Sequence, residues 1–170
     1  MKKPSISVRQ LAKNDFEIIE KAFMDQGWHK PASQFEQYAE EQDKGERVIL
    51  VAEYLNKFAG YVTIKWKSTY PPFLEEGIPE IVDLNVLICY QNNGIATELM
   101  NEAERIVADT HPIIGIGFGL IKDYGAAQRL YIRRGYLPDG RGIYQNRRQL
   151  NRGDQVYVND DLALYLTKSL

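Results

Sequence analysis

A short polar turn at the start of a predicted helix is the part of this chain best suited to hold a ligand. The apolar run at residues 84–88 is typical of a strand, and apolar residues recur at helical spacing from Ile95 to Val107. Between them lie Asn and Gly, which tolerate left-handed backbone dihedrals and let a ligand approach the backbone closely. A helix N-terminus attracts anions through its unpaired N–H groups and its dipole. The turn therefore predicts a site for a phosphate-bearing ligand, formed by Gln91, Asn92, Asn93, Gly94, Ile95 and Ala96.

This turn differs from two well-known phosphate loops. The P-loop needs the pattern Gly-x-x-x-x-Gly-Lys-Ser/Thr and the dinucleotide fingerprint needs three glycines, and neither pattern is present here. Taken alone, the turn is either a simple helix-capping turn or a phosphate loop of another type.

A second motif follows at residues 124–136, where the sequence is Tyr-Gly-Ala-Ala-Gln-Arg-Leu-Tyr-Ile-Arg-Arg-Gly-Tyr. It resembles the Asn-x-x-Ala-x-x-Leu-Tyr-x-x-x-Gly-Phe/Tyr helix of the GCN5-related N-acetyltransferase (GNAT) family. Residues 91–96 resemble the Arg/Gln-x-x-Gly-x-Gly/Ala loop of the same family. The resemblance is close from residue 79 to residue 138. One position departs from the pattern, because Tyr124 stands where the family has Asn, which often contacts the pantetheine arm of the cofactor.

The resemblance implies a fold and a donor. It implies one GNAT-like α/β domain over residues 1–170, with a mixed, mostly antiparallel central sheet flanked by helices. It also implies transfer of an acetyl group from acetyl-CoA to a primary amine, with the pyrophosphate of CoA on the 91–96 loop. The strand before the loop would offer backbone groups to the pantetheine and an amide to the thioester carbonyl. The implied cofactor-binding residues outside the loop are Val86, Leu87, Ile88, Tyr124 and Ala127.

Tyr131 matches the tyrosine that protonates the departing thiolate in this family. The chemistry is reasonable because a phenol, with a pKa of about 10, can donate a proton to a thiolate of comparable basicity. Tyr131 also lies on an amphipathic helix, where an aromatic residue usually belongs to the core. Tyr136 and Tyr144 are the weaker alternatives.

Glu80 and Asp83 are the candidates for the general base. An alkylamine has a pKa of about 10 and is mostly protonated at neutral pH, so its proton needs an acceptor, either directly or through water. Strand alternation puts the two carboxylates on opposite faces unless a bulge intervenes, so we expect only one of them to serve. Either can instead be an ion-pair partner.

The acceptor amine is not identified by the sequence. In the family the acceptor groove comes from segments that correspond here to residues 26–31, 70–76 and 141–159. Glu75 and Glu76 would attract a cation, whereas Arg141, Arg147, Arg148 and Arg152 would attract an anion. Small polyamines, amino acids, aminoglycoside-like compounds and protein N-termini all stay open.

Composition sets the broad class of the protein. The chain has 170 residues, a formal net charge of −2 and one cysteine, Cys89. Such a charge does not favour nucleic-acid binding, and the chain shows neither a signal peptide nor a membrane span, so we expect a cytoplasmic protein. His29 and His111 lack metal-ligand spacing, and we expect no metal. A homodimer is one option for the assembly.

The remaining patterns predict the elements around these motifs. Strands are expected at residues 6–11, 47–54, 58–67, 113–120 and 161–168, and short ones at 142–144 and 156–158. The tight connection Leu55-Asn56-Lys57 predicts that the second and third of these strands form a hairpin. Helices are expected to begin near Asn14, Ser33 and Asp123, and a loop is expected at residues 70–73. Alternating glycines at Gly115, Gly117 and Gly119 leave one face of a strand open to either a ligand or packed aromatic rings.

Two other functions compete with acetyl transfer. A non-catalytic acyl-CoA-binding or regulatory module would keep the loop and bind acetyl-CoA without releasing CoA. An unrelated strand-turn-helix domain would bind a nucleotide and prefer ATP or NAD.

Overall fold

The structure is a computed structural model that describes residues 5–170. In chain order its elements are β1 (Ile6–Gln10), α1 (Phe16–Asp25), α2 (Ala32–Asp43), β2 (Arg47–Tyr54), β3 (Lys57–Lys65), α3 (Pro71–Glu76), β4 (Glu80–Val86), α4 (Ile95–Ala108), β5 (Ile113–Gly119), α5 (Gly125–Arg133), β6 (Leu137–Gln145), β7 (Arg148–Gln149) and β8 (Ala163–Ser169). These elements form two compact units. The first contains residues 5–65 and Ile81–Ile106, and the second contains Trp66–Glu80 and Val107–Leu170.

The first unit is built on four neighbouring strands in the order β1-β2-β3-β4. β2 pairs antiparallel with both β1 and β3. The predicted hairpin between β2 and β3 is confirmed. Its two turn residues, Leu55 and Asn56, have φ values of 53° and 59°, as a two-residue turn that matches the twist of the strands requires.

The core of the first unit lies between these strands and the helices α1 and α2. Ile19 and Phe23 are one helical turn apart on α1 and are both fully buried, as are Phe35 of α2 and Tyr61 of β3. The Phe35 and Tyr61 rings meet edge to face with centroids 5.2 Å apart. This packing holds α2 against β3, which positions the polar cluster described below.

The second unit is built on strands in the order β5-β8-β6-β7, and all three neighbouring pairs are antiparallel. Its core contains Tyr70, Phe73, Ile78 and Tyr144. The rings of Tyr70 and Tyr165 are parallel and 3.7 Å apart between centroids. Aromatic packing therefore dominates this cluster.

The glycine face of β5 is covered by aromatic rings. A Cβ atom at Gly115 would meet the ring of Phe73, one at Gly117 would lie 2.7 Å from Tyr165, and one at Gly119 would lie 2.5 Å from Tyr124. Of the two alternatives left open by the sequence, packed aromatics are what the structure shows at this face.

Several local predictions need correction. Residues 71–76 form helix α3 instead of a loop, because Pro is compatible with the first turn of a helix. The strand that was expected to reach residue 88 ends at Val86, and Ile88–Tyr90 is a 3₁₀ turn. Residues 156–158 are coil, not a strand. Helix α1 begins at Phe16, and the carboxylate of Asp15, not the side chain of Asn14, accepts the N–H of Ala12 at 2.8 Å.

We predict that the variant Gly115→Ala is destabilised by about 1–3 kcal/mol, the usual cost of overpacking a core. The new methyl group would overlap the ring of Phe73, whose exposed fraction is only 2%. Urea unfolding measures the change. The matched control is Gly125→Ala at the first residue of α5, where a Cβ meets nothing within 4 Å. Equal stability of Gly115→Ala and the wild type would contradict this account of the glycine face.

Candidate functional site

The predicted phosphate loop is an exposed turn that leads directly into a helix. Residues 91–94 are exposed, and α4 begins at Ile95, which is buried. Asn92 and Gly94 have φ values of 64° and 88°, as the sequence predicted from their residue types. The N–H groups of the first helical turn have no partner within the helix. The loop thus combines a closely approachable backbone with a helix N-terminus.

Asn93 braces this loop through its side chain. Its Nδ2 donates to the carbonyl oxygens of Tyr90 at 3.0 Å and Gln91 at 3.1 Å, and its Oδ1 accepts from the Tyr54 hydroxyl at 3.2 Å. Loop carbonyls are therefore turned toward the protein's own donors. A cleft of about 560 Å³ opens beside the loop and is lined by Ile6, Tyr54, Asn92, Asn93, Gly94, Thr97 and Glu98.

The backbone just before the loop already donates hydrogen bonds within the first unit. The N–H of Leu87 donates to the carbonyl of Ala59 at 2.9 Å. The N–H of Ile88 donates to Oε1 of Gln26 at 3.0 Å, on the exposed side of the segment. Gln26 lies in the loop between α1 and α2, so the structure brings one predicted acceptor segment next to the predicted donor strand.

Asp83 lies in a strand but has a left-handed backbone with a φ of 56°. Simple strand alternation therefore does not hold across this residue. Its carboxylate accepts hydrogen bonds from five side chains, and we call these residues together with Asp83 the Asp83 cluster. The donors to Oδ1 are Lys30 Nζ at 2.7 Å and Asn85 Nδ2 at 2.8 Å, and the donors to Oδ2 are Tyr61 Oη at 2.6 Å, Tyr38 Oη at 3.0 Å and Gln34 Nε2 at 3.1 Å.

The protonation states of the Asp83 cluster follow from its partners. Burial alone would raise the pKa of Asp83, but the Lys30 ammonium and the donated hydrogen bonds hold this pKa below its ordinary value. Burial and the charge of Asp83 raise the pKa of Tyr38 to about 12 and the pKa of Tyr61 well above its ordinary value. At neutral pH the carboxylate is therefore charged and both phenols carry their protons.

Glu80, the other candidate base, lies in the second unit and is 5% exposed. The hydroxyl of Ser68 donates to its Oε2 at 2.5 Å, and the N–H of Tyr70 donates to the same hydroxyl at 2.9 Å. Burial and the charge of Glu80 raise the pKa of Tyr165 to about 12. Glu80 thus contacts a neutral hydroxyl, whereas Asp83 contacts a cation.

Tyr131 is buried on α5, with an exposed fraction of 5%. Its ring lies near those of Phe118 and Tyr136, with centroids 6.4 and 6.1 Å away. Burial and the nearby phenol of Tyr124 raise the pKa of Tyr131 well above its ordinary value, so its hydroxyl keeps its proton at neutral pH. The hydroxyl is therefore present as a proton donor, and the raised pKa makes it a weaker acid than an ordinary phenol.

Tyr124, at the position where the family has Asn, contacts other residues of this chain. Its ring covers Gly119, and its hydroxyl donates to Oδ1 of Asp160 at 3.2 Å. Ala127 lies on α5 one turn before Tyr131 and is partly exposed.

The late predicted acceptor segment holds charges of both signs. Arg141 pairs with Glu76, and Arg148 pairs with Asp154 at 3.4 Å. A cleft of about 570 Å³ in the second unit is lined by Thr69, Tyr144, Asn146, Arg147, Asp160, Asp161, Ala163 and Tyr165. Two acidic residues and one arginine in the same cleft leave the charge of an acceptor undecided there.

Sequence reasoning missed most partners of Asp83. The sequence places Tyr61 on a predicted strand and Lys30 in a predicted acceptor segment, but it links neither of them to Asp83, and it gives no sign that Tyr38 contacts this carboxylate. The available signal was the carboxylate itself, because an Asp in the middle of a largely apolar strand needs partners when the strand is buried.

Two features are not found in the part of the chain that the structure describes. No helix there is long and apolar enough to cross a membrane. Within residues 5–170 there is also no group of three or more His, Cys, Asp and Glu side chains that could hold a metal ion.

Comparisons with known proteins agree with the fold. Among solved structures, a ribosomal-protein-alanine N-acetyltransferase from Brucella melitensis has a TM-score of 0.70 at 16% identity, covering 96% of this chain and 99% of that chain. The PaiA N-acetyltransferase from Thermoplasma acidophilum, in complex with coenzyme A, has a TM-score of 0.68 at 13% identity, with 98% and 99% covered. A spermidine N-acetyltransferase chimera from Vibrio cholerae and hSSAT has a TM-score of 0.68 at 14% identity, with 96% and 95% covered.

These likenesses confirm the predicted fold class, a mixed α/β fold with a mostly antiparallel sheet flanked by helices. No curated protein matches the chain. The model of the acetyltransferase (GNAT) family matches residues 7–136, which is most of the sequence and includes both motifs. The chain therefore belongs to the GNAT family of acetyltransferases.

Proposed function

We propose that residues 1–170 form one acetyltransferase domain that moves the acetyl group of acetyl-CoA directly to a primary amine. The observation that carries this proposal is the exposed 91–94 loop, whose left-handed Asn92 and Gly94 lead into the N-terminus of α4. Loops of this kind bind phosphate groups through backbone N–H donors and the helix dipole. The pyrophosphate of CoA is the ligand of this chemistry that the family uses.

The segment before the loop supplies a donor for the acetyl or pantetheine carbonyl. Among Val86, Leu87 and Ile88, the amide of Leu87 is committed to the sheet through Ala59. The amide of Ile88 donates to a side-chain oxygen, that of Gln26, on the exposed side. A ligand carbonyl can replace the Gln26 oxygen as the acceptor of this hydrogen bond without disturbing the pairing of the strands. We therefore assign the hydrogen bond with the ligand to the amide of Ile88, and we keep backbone groups of Val86 as a second contact with the ligand.

Two side chains would handle the protons. Tyr131, which matches the tyrosine that protonates the thiolate in this family, gives a proton to the leaving thiolate. We assign the acceptance of the amine's proton to Glu80, a buried carboxylate that accepts a hydrogen bond from the neutral hydroxyl of Ser68. Asp83 is the poorer base, since Lys30 and the other donors hold its pKa low.

The fold does not select the acceptor. The structures reported above share this fold at similar TM-scores, yet their names specify a ribosomal-protein alanine in one case and spermidine in another. The identity of the acceptor must therefore be inferred from the side chains of the site. A homodimer and a cytoplasmic location stay predictions.

A non-catalytic acyl-CoA-binding module is the second candidate, and one observation favours it. Tyr124 replaces the family's Asn and bonds to Asp160, which removes a usual contact with pantetheine. Such a module would bind acetyl-CoA but release no CoA in the presence of amines.

Donor binding can be tested by thermal unfolding with acetyl-CoA, CoA, ATP and NAD titrated separately. A ligand at a hundred times its Kd adds about 2.7 kcal/mol to the free energy of unfolding, and we expect this gain from acetyl-CoA and CoA but not from ATP or NAD.

In the variant Ala96→Glu the new carboxylate, at the second residue of α4, should weaken CoA binding about tenfold or more by repelling phosphate. Its fold should not suffer, because an acid near a helix N-terminus is favourable.

The matched control for Ala96→Glu is Ser33→Glu, which places the same charge at the second residue of α2. It should bind CoA like the wild type. Undiminished CoA binding by Ala96→Glu would show that the pyrophosphate does not lie on this loop.

Tyr131→Phe should lower kcat by about 10²-fold or more, because the leaving thiolate loses its proton donor. The Kd for acetyl-CoA should stay unchanged. CoA release in the steady state and calorimetric titration measure the two quantities. The comparison variant is Tyr136→Phe in the same aromatic cluster. If Tyr136→Phe loses activity while Tyr131→Phe keeps it, the assignment of the acid is wrong.

Glu80→Gln should lower kcat/KM by about 10²-fold or more at pH 7. The deficit should shrink as the pH rises toward the pKa of the amine, about 10, because a neutral amine no longer needs a base. A pH profile of kcat/KM gives this readout, which a purely structural role would not produce. Glu17→Gln, at an exposed carboxylate of α1, is the control. A deficit that is constant with pH would exclude Glu80 as the base.

A further inference from the structure

The Asp83 cluster holds an ammonium ion that comes from the protein itself. Lys30 and Asp83 are 2.7 Å apart, and their side chains are only 21% and 19% exposed. Lys30 belongs to the loop between α1 and α2, and Asp83 lies three residues before Val86 on β4. The same loop also contacts the donor segment through Gln26 and Ile88. An ion in the place of the Lys30 ammonium would therefore lie beside the strand assigned to the donor.

The rest of the cluster would stay in place without Lys30. Its members other than Lys30 lie on regular elements, namely α2, β3 and β4. Tyr61 is fully buried in the core of the first unit, and the ring of Tyr38 packs edge to face on Phe35. Only Lys30 is on a loop, at the end of a long flexible side chain. The site is thus preformed, and its present occupant is the most easily moved part.

The geometry of the carboxylate favours a primary ammonium over a guanidinium. Oδ2 already accepts hydrogen bonds from Tyr61, Tyr38 and Gln34, so only Oδ1 faces the cation. A guanidinium group binds best when both carboxylate oxygens are available to its two parallel donors, whereas an ammonium is a point charge. The Lys30 nitrogen also lies 5.7 Å from the centroid of the Tyr61 ring, within the range of a cation–π contact.

The charge of Asp83 requires a cation at this position. The donors other than Lys30 are neutral, and a largely buried carboxylate without a countercharge is costly. Arg47 lies 4.1 Å from the centroid of the Tyr38 ring, but Glu41 and Thr63 hold it at 2.5 and 2.7 Å. Removal of the Lys30 ammonium therefore leaves a site that attracts another small cation.

We propose that the Asp83 cluster is a binding site for a primary alkylammonium ion, and that Lys30 occupies it in the free protein as an internal competitor. An incoming alkylammonium displaces the Lys30 side chain toward solvent and takes its hydrogen bond to Oδ1. The inference rests on the proposed function in one respect, since there the bound ion is the acetyl acceptor, which passes a proton to the proposed base Glu80 before its nitrogen attacks the thioester. The binding site itself is tested without acetyl-CoA.

The test measures binding of butylammonium chloride to the full chain by calorimetry and by thermal unfolding, at constant ionic strength set with NaCl. In Lys30→Met the apolar stem of the side chain is kept and the charge is removed. We expect this variant to bind butylammonium at least tenfold more tightly than the wild type. At saturation its midpoint of unfolding should rise by about 5 °C.

Two further variants distinguish binding at Asp83 from binding elsewhere on the protein surface. In Lys30→Met/Asp83→Asn the carboxylate charge is removed, and butylammonium should give no shift beyond that of NaCl. In Lys21→Ala, where an exposed lysine that pairs with Asp25 is lost, butylammonium should act as on the wild type. Tetramethylammonium, which has no N–H donor, should not stabilise Lys30→Met.

The proposal is overturned if butylammonium fails to stabilise Lys30→Met or stabilises the double variant equally, since the ion then binds elsewhere or not at all. It is also overturned if the wild type binds as tightly as Lys30→Met, because Lys30 is then no competitor. A different result separates the two proposals. If Lys30→Met binds butylammonium as expected, but neither the wild type nor any variant releases CoA from acetyl-CoA with butylamine or 1,4-diaminobutane, the cation site is supported and the proposed acetyl transfer is wrong for these amines.

Discussion

The first unit depends on how the negative charge of Asp83 is compensated. A charged carboxylate that is mostly removed from water is tolerated only when it is paired and hydrogen-bonded. Here the partners come from α2, from β3, from β4 and from the loop between the first two helices, so one side chain ties these segments together. Its left-handed backbone, a strained state for a residue in a strand, persists because so many contacts hold it.

The same constraint separates the roles of the two candidate carboxylates. Asp83 contacts a cation and several donors, which lowers its pKa and makes it a group that binds an ammonium. Glu80 is buried against a serine hydroxyl, and we propose it as the group that accepts a proton. Two acids on one strand thus acquire different chemistry from their surroundings, as paired catalytic carboxylates do in other enzymes.

In contrast, backbone groups make the proposed contacts with the donor. This explains why the donor motif can be recognised from the sequence. A left-handed turn before a helix needs Gly, Asn or a similar residue, so Asn92 and Gly94 reveal the loop by their types alone. The acceptor has no such signature. In the proposed function it is recognised by side chains from distant segments, and the names of two proteins that share this fold specify a ribosomal-protein alanine and spermidine.

Local rules in the sequence were sufficient for most strands and helices, for the hairpin at Leu55 and Asn56, and for the family, because periodicity, turn residues and the two motifs depend on neighbours along the chain. Only the tertiary structure could decide what covers the glycine face of β5, since Phe73 and Tyr165 reach it from other segments. The same holds for α3. Its two prolines predicted a loop, but in the structure they form the first turn of a helix. The partners of Asp83 lie far from it in sequence, and long-range contacts of this kind leave no local pattern.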